Sequence, residues 1–229
     1  MRTEIIYEDK DICVIRKPAG LATQTAKIGE ADVVSELKNY FARASKGAPY
    51  AGVVHRLDQP VEGLLVFGKN KAATGKLTEY LRNHTLNKQY LAVVCGKPAK
   101  EEGTLVDYLY KDAAGKAQIA DAPGENGSVK AVLTYRTVKT FEIAGKSASL
   151  LDITIDTGRF HQIRAQMSHA GFPLLGDRKY GNADSAELSA LARVTTVALC
   201  ANRITLRHPT TGKEMSFEAV PAAKIYSCV

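Results

Sequence analysis

The sequence predicts a mixed α/β chain of the α+β type, organised as one domain over residues 1–229. Two observations carry this. Short β-prone runs, some alternating and some wholly apolar, recur along the chain, and between them lie segments whose apolar residues repeat at helical spacing. Neither an internal repeat nor a low-complexity linker interrupts them, which favours one continuous domain, and the length suffices to bury a substantial core.

Taken in order, residues 4 to 7 and Ile12 to Arg16 are β-prone and separated by the charged turn Glu8 to Asp11, a hairpin pattern. Lys17-Pro18-Ala19-Gly20-Leu21 then breaks the strand. Between Ala31 and Ala42 the residues Val33, Leu37, Tyr40 and Phe41 form the stripe of a helix packed on a sheet. Lys46-Gly47-Ala48-Pro49 is a loop. Leu64 to Phe67 is an apolar strand, and Asn70 is placed to cap a helix that carries Leu77, Tyr80 and Leu81. Lys88 to Gly96 reads as a central strand. Residues 111 to 128 read as an exposed excursion, followed by alternating strands at Val129 to Val138 and Ser149 to Ile155. Ile163, Met167 and Ala170 line a helix that ends at Gly171, with Pro173 beyond. Asp184 and Glu187 are placed to cap a short helix bearing Leu188 and Leu191, and Arg203 to Arg207 with Met215 to Phe217 closes the chain as a hairpin.

Composition is that of a globular protein. Lys plus Arg outnumber Asp plus Glu by 31 to 24, a net charge of +7 with a pI near 9.2, which suits a polyanionic partner such as nucleic acid. Cys13, Cys95, Cys200 and Cys228 have no C-x-x-C spacing and read as reduced residues, and the five histidines do not combine into a zinc set, so no metal is expected. The N-terminus has acids where a signal peptide is apolar, and no stretch approaches the ~20 apolar residues of a membrane span, which points to the cytoplasm. Without a heptad pattern or an apolar stripe left exposed, a monomer is expected.

Two polar clusters stand out. His55-Arg56-Leu57-Asp58 lies between buried strands, and Pro60 and Gly63 hold Asp58 on a constrained loop, a common setting for a reactive group. A turn-forming Asp with a neighbouring surface Arg is the bland alternative. The second cluster is Thr157 to Met167. Arg164 stands about 100° round the helix from Ile163, so it borders the buried stripe and needs a partner. The turn ahead of that helix offers backbone N–H groups to a phosphate. Gly176-Asp177-Arg178-Lys179-Tyr180-Gly181 reads as a basic turn.

Together, Lys17 to Leu21, His55 to Asp58 with Gly63-Leu64-Leu65, Lys88-Gln89-Tyr90, Gly158-Arg159-x-His161-Gln162-Ile163-Arg164 and Gly176-Asp177-x-x-Tyr180-Gly181 resemble the RluA-type pseudouridine synthases. The blocks run in the family's order through most of the chain. The resemblance implies a bent, mixed and mainly antiparallel sheet with flanking helices and a central RNA cleft. It implies isomerisation of uridine to pseudouridine in a structured ribosomal or transfer RNA, without metal or organic cofactor. Asp58 matches the family's catalytic aspartate, Tyr90 its active-site tyrosine and Arg164 the arginine that pairs with the aspartate. Arg56 matches an arginine associated with opening the RNA around a flipped base. Lys17, His55, Arg159, His161, Gln162, Arg178 and Lys179 are the remaining expected RNA contacts.

The residue types suit the chemistry. Breaking a C–N glycosidic bond and remaking it at carbon calls for a carboxylate as nucleophile or base, and the target base must first leave its stack, onto a ring such as that of Tyr90. Two departures from the family pattern are visible: Val61-Glu62 where Thr-Ser is common, and Cys200 where His is common in a Leu-His-Ala block. The S4-type RNA-binding domain that many members carry ahead of this fold is not expected here. A non-catalytic RNA-binding or ribosome-assembly factor on the same fold is the alternative, disfavoured by the retained Asp58, Tyr90 and Arg164. A small-molecule hydrolase built on His55 and Asp58 lacks any nucleophile elbow.

Overall fold

The computed structural model describes residues 1–25, 27, 29–43 and 48–228. In chain order the elements are β1 (Glu4–Glu8), β2 (Ile12–Lys17), α1 (Val33–Ala42), β3 (Gly52–Val53), β4 (Glu62–Gly68), α2 (Lys71–Arg82), β5 (Asn87–Cys95), β6 (Glu102–Lys111), β7 (Ala117–Ile119), β8 (Val129–Ile143), β9 (Lys146–Ile155), α3 (Gln162–His169), α4 (Ala183–Leu191), β10 (Leu199–Arg207) and β11 (Glu214–Glu218). The expected α+β class is what the chain adopts. It folds as two compact units interleaved in sequence, one of Met1–Lys88 with Cys200–Pro221 and one of Gln89–Leu199 with Ala222–Val229.

In the first unit β2 is flanked by β1 and β4, both antiparallel, so the expected N-terminal hairpin is present. The other edge of β4 is shared. Gly68 and Phe67 pair with β3, while Glu62 and Gly63 pair in parallel with Cys200 and Ala201 of β10, which in turn forms the expected hairpin with β11. Every residue of β4 is buried. Its Leu64 and Val66 pack with Ile12 and Val14 of β2, Leu77 of α2 and Ile204 and Leu206 of β10. The Asn70 side chain caps α2 through the Ala73 N–H, as its position predicts, and Asp32 caps α1 through Ser35. In α1 the buried stripe is Val33, Val34, Leu37 and Phe41. Tyr40 instead lies at the edge of this stripe, which is centred between Leu37 and Phe41, and donates its hydroxyl to Glu8 at 3.1 Å.

In the second unit the strand order is β5-β9-β8-β6-β7, antiparallel throughout. β5 is central, as expected: β9 pairs one edge, and on the other Val93 bonds to Leu175 and Ala198 and Val94 bridges Leu174. The alternating segments become β8 and β9, with β8 five residues longer than its pattern suggested. Part of the 111–128 excursion is ordered, since β7 pairs with the end of β6. The short helix α4 is capped by Asn182 in a capping box with Ser185, not by Asp184, whose carboxylate falls inside the first turn. Leu188 is buried but Leu191 is 48% exposed. Helix α3 ends as predicted, with Gly171 at φ +87 just past its last turn, a conformation that favours glycine. Of the expected 46–49 loop, Lys46 and Gly47 lie outside the described residues, as does the Cys228 side chain. Among the described residues, no helix is long and apolar enough to cross a membrane, and Cys13, Cys95 and Cys200 are free thiols.

Candidate active site

The segment between β3 and β4 carries the first cluster. Its apolar residues Val54, Leu57 and Val61 are buried, while Arg56 is exposed and Asp58 half-buried, so the backbone is anchored and the polar side chains are presented. Three successive main-chain positions are pinned. The Thr23 hydroxyl accepts from Leu57 N–H at 3.1 Å and donates to Leu57 C=O at 3.0 Å. The C=O of Asp58 accepts from Val61 N–H at 3.0 Å, closing a turn around Pro60, and the C=O of Gln59 accepts from Gly20 N–H at 2.8 Å. Main-chain bonds on both sides thus fix the backbone that presents the carboxylate.

Lys17 completes the anchoring. It ends β2, paired with Gly63, and is fully buried. Its ammonium donates to the carbonyls of Leu21 at 2.7 Å, Pro18 at 3.1 Å and Gln59 at 3.2 Å, which uses all three of its hydrogens. Burial pushes its pKa down to about 8, opposed by the charges of Asp58 and Glu62. The expected phosphate contact is therefore corrected: Lys17 is a brace beneath the Asp58 turn. His55 is corrected likewise. Its ring is buried and Nε2 accepts from Val66 N–H at 3.3 Å, on the stretch of the β4 edge between β3 and β10. Burial, reinforced by the charge of Lys88, holds its pKa well below the usual histidine value, so the ring is neutral. Its Nδ1, also buried, has no hydrogen-bond partner.

The two departures from the family pattern meet here. Glu62 and Cys200 are direct partners in the parallel pairing of β4 with β10, and both are buried. Burial and the neighbouring Glu62 charge raise the Cys200 pKa, so the thiol stays protonated. Beside them Gly63, at φ +126, leaves no room for a side chain: a Cβ would lie 2.4 Å from the Ala201 nitrogen.

The second cluster is built on α3, which is buried nearly all round and so uses a different bond on each face. Ile163 and Met167 enter the apolar interior, as the stripe predicts. Gln162 and Gln166 face the sheet: Gln162 accepts from Thr157 Oγ1 and Arg159 N–H and donates to Val132 C=O, and Gln166 donates to Asp107 at 2.7 Å. Gln162 is thus buried and bonded inside the protein, which corrects its expected RNA contact. The third face, residues 161, 164 and 168, docks on the turn at 177–180. Arg164 forms a two-pronged pair with Asp177, Nε to Oδ2 at 2.7 Å and Nη2 to Oδ1 at 2.9 Å. His161 Nδ1 meets the Tyr180 hydroxyl at 2.8 Å, and Ser168 donates to the Tyr180 carbonyl. The Arg164 guanidinium also lies over the Tyr180 ring, 5.0 Å from its centre.

Asp177 is the residue that sequence reasoning did not assign. Burial works to raise its pKa, but the Arg164 guanidinium and the N–H groups of Lys179 and Tyr180 outweigh it and hold the carboxyl below its ordinary range. The signal was present: a charge bordering the buried stripe needed a partner, and Asp177 is the acid of the next turn. Of the other expected residues, Tyr90 is buried on β5 opposite Ile153, while Arg159, Arg178 and Lys179 are exposed. Arg159 donates from Nε to Lys130 C=O at 3.0 Å, and Lys179 donates to Gly115 C=O at 2.5 Å.

Against known proteins, residues 11–169 match the family model described as RNA pseudouridylate synthase. The chain is 36% identical over 217 residues to the ribosomal large subunit pseudouridine synthase C of Rickettsia felis, covering 94% of this chain and 66% of the relative. It is 33% identical over 223 residues to the ribosomal large subunit pseudouridine synthase D of Zymomonas mobilis, covering 94% of this chain and 68% of that relative. The chain thus spans about two thirds of the length of these relatives. In structure it is similar to human RNA Pseudouridylate Synthase Domain Containing 1, with a TM-score of 0.77 at 21% identity over 96% of this chain and 83% of the other.

Proposed function

Because the chain belongs to the RNA pseudouridylate synthase family, whose members isomerise uridine in RNA, we propose that it converts uridine to pseudouridine in large-subunit ribosomal RNA, with Asp58 as the catalytic carboxylate. The reaction is an isomerisation: the C1′–N1 bond is exchanged for C1′–C5, the proton on C5 leaves, and N1 ends protonated. Nothing is oxidised or reduced, so what the protein must supply is a positioned carboxylate and a place for the extruded base.

The observation that carries this reading is the Asp58 turn, in which Leu57, Asp58 and Gln59 are each held through the main chain while the carboxylate stays half-exposed. Such anchoring is the preorganisation a reacting group needs. Tyr90 and Arg164 are proposed as the stacking and orienting groups of the same reaction. Arg56, Arg159, Arg178 and Lys179, all exposed, are proposed to contact the RNA backbone. We take residues 1–229 to work as one catalytic domain, as a monomer without metal, in the cytoplasm. The ribosomal target follows the names of the relatives in Rickettsia felis and Zymomonas mobilis.

Pseudouridine mapping of total RNA from cells with and without the gene, with rescue by wild type and by Asp58→Asn, tests this. The expected result is loss of one or a few sites in large-subunit ribosomal RNA, restored by wild type and not by Asp58→Asn. Substantial conversion by the folded Asp58→Asn protein would overturn the catalytic assignment, and an unchanged map would overturn the activity.

A further inference from the structure

The loop ahead of α3 displays a feature that the Asp58 chemistry does not use. Phe160 is 41% exposed, a large apolar ring that no core packing accounts for. Its ring lies on that of His161, centroids 3.8 Å apart and planes 20° from parallel. Consecutive side chains of an extended chain point to opposite sides. Here the left-handed backbone of His161, at φ +53, lets the two rings lie face to face. Such a conformation is costly for a residue with a side chain and persists only when its surroundings hold it. The His161 ring is held at its edge through Nδ1 by the Tyr180 hydroxyl, which also accepts from Ala117 N–H at 2.7 Å. The exposed Phe160 ring is therefore mounted on a fixed base.

Its surroundings are cationic. The Lys111 ammonium lies 5.0 Å from the centre of the Phe160 ring, Arg159 is anchored to the Lys130 carbonyl, and Lys116 lies over Tyr180. Asp112, next to Lys111 in the chain, is already engaged by Lys116 N–H and Gln118. An apolar protein partner would meet a rim of lysine and arginine here, whereas an unpaired base with its flanking phosphates matches both the ring and the charges.

We propose that Phe160, backed by His161 and crossed by Lys111, is a stacking platform for an unpaired base of the RNA substrate, beside the helix that carries Arg164. The proposal rests on the RNA-modifying function proposed above. A base slides onto the ring, and the flexible Lys111 moves from the ring to an adjacent phosphate. Because the ring is already fixed, little conformational freedom is lost on binding.

The test uses the full chain and large-subunit ribosomal RNA extracted from cells lacking the gene, with binding measured over a range of salt and conversion at steady state. Phe160→Ala is expected to weaken binding about five- to a hundredfold, the range found for single base–aromatic stacks, with the loss in KM, kcat retained and the salt dependence unchanged. Phe160→Trp should stay near wild type. Lys111→Gln should reduce the salt slope by about one. Wild-type behaviour of Phe160→Ala, or equal impairment of the Ala and Trp variants, would overturn the platform and leave the activity standing. A wild-type protein that binds but forms no pseudouridine would overturn the activity, while the Phe160 series still decides the platform through binding alone. A protein that neither binds nor converts this RNA would overturn both.

Discussion

The Asp58 turn and the Arg164 helix hold a charged residue in place by opposite means. Around Asp58 the work is done by main-chain groups, Thr23 and a buried lysine whose hydrogens all go to carbonyls. Around Arg164 it is done by a buried charge pair whose members are only 5% and 0% exposed. Neutral main-chain bonds contribute about 1 kcal/mol each and fail one at a time. A buried ion pair fails at once, because the survivor is left charged and desolvated. The protein therefore concentrates its fragility at 164 and 177 and spreads it out around 58.

The sharpest way to break that comparison is Asp177→Asn. It breaks the buried Arg164–Asp177 pair and is expected to cost about 3–5 kcal/mol in urea unfolding. A loss below about 1 kcal/mol would show that the pair is not what fixes α3. Gly63→Ala should follow, at about 1–3 kcal/mol, since the new methyl meets the Ala201 backbone and the φ of +126 is strained for alanine. Its thermal melt should fall while the Asp177→Asn protein falls further.

The third test is a pH dependence. Folded, Lys17 gives up its proton near pH 8, whereas unfolded it keeps it to about 10.5. Between those values the unfolded chain binds more protons, so stability rises with pH across the window. Lys17→Met, compared with wild type from pH 7 to 10.5, should lack that rise. An identical pH profile for the two proteins would mean that Lys17 holds its proton equally well folded and unfolded, so that burial does not depress its pKa.

Much of this was legible locally. Helices α1, α2 and α3, the two terminal hairpins and the central β5 follow from periodicity, caps and a glycine stop, each written within a dozen residues. Strand β6 was not read, because its face is half covered: Thr104 and Val106 are exposed and Leu105 only partly buried, so polar and apolar residues do not alternate with burial. The same holds for the site. Asp58 was marked by its own neighbours, Pro60 and Gly63. Asp177 was not, since its role depends on a chain reversal after Gly171 that brings it back against α3. Lys17 and His55 looked like surface cations because sequence spacing cannot tell an ammonium that faces phosphate from one that faces carbonyls.

The parallel pairing of β4 with β10 sets a schedule for synthesis. Glu62 and Gly63 leave the ribosome long before Cys200 and Ala201, their partners. At ordinary translation speeds of 5–20 residues per second the wait is roughly seven to thirty seconds. For that interval β4 can pair with β2, but its opposite edge is without β10 at the end that the Asp58 turn leads into. The nascent chain therefore passes through a stage in which its fully buried strand β4 is half dressed, and the yield of native protein at high expression depends on how well that edge is shielded until the last eighth of the chain arrives.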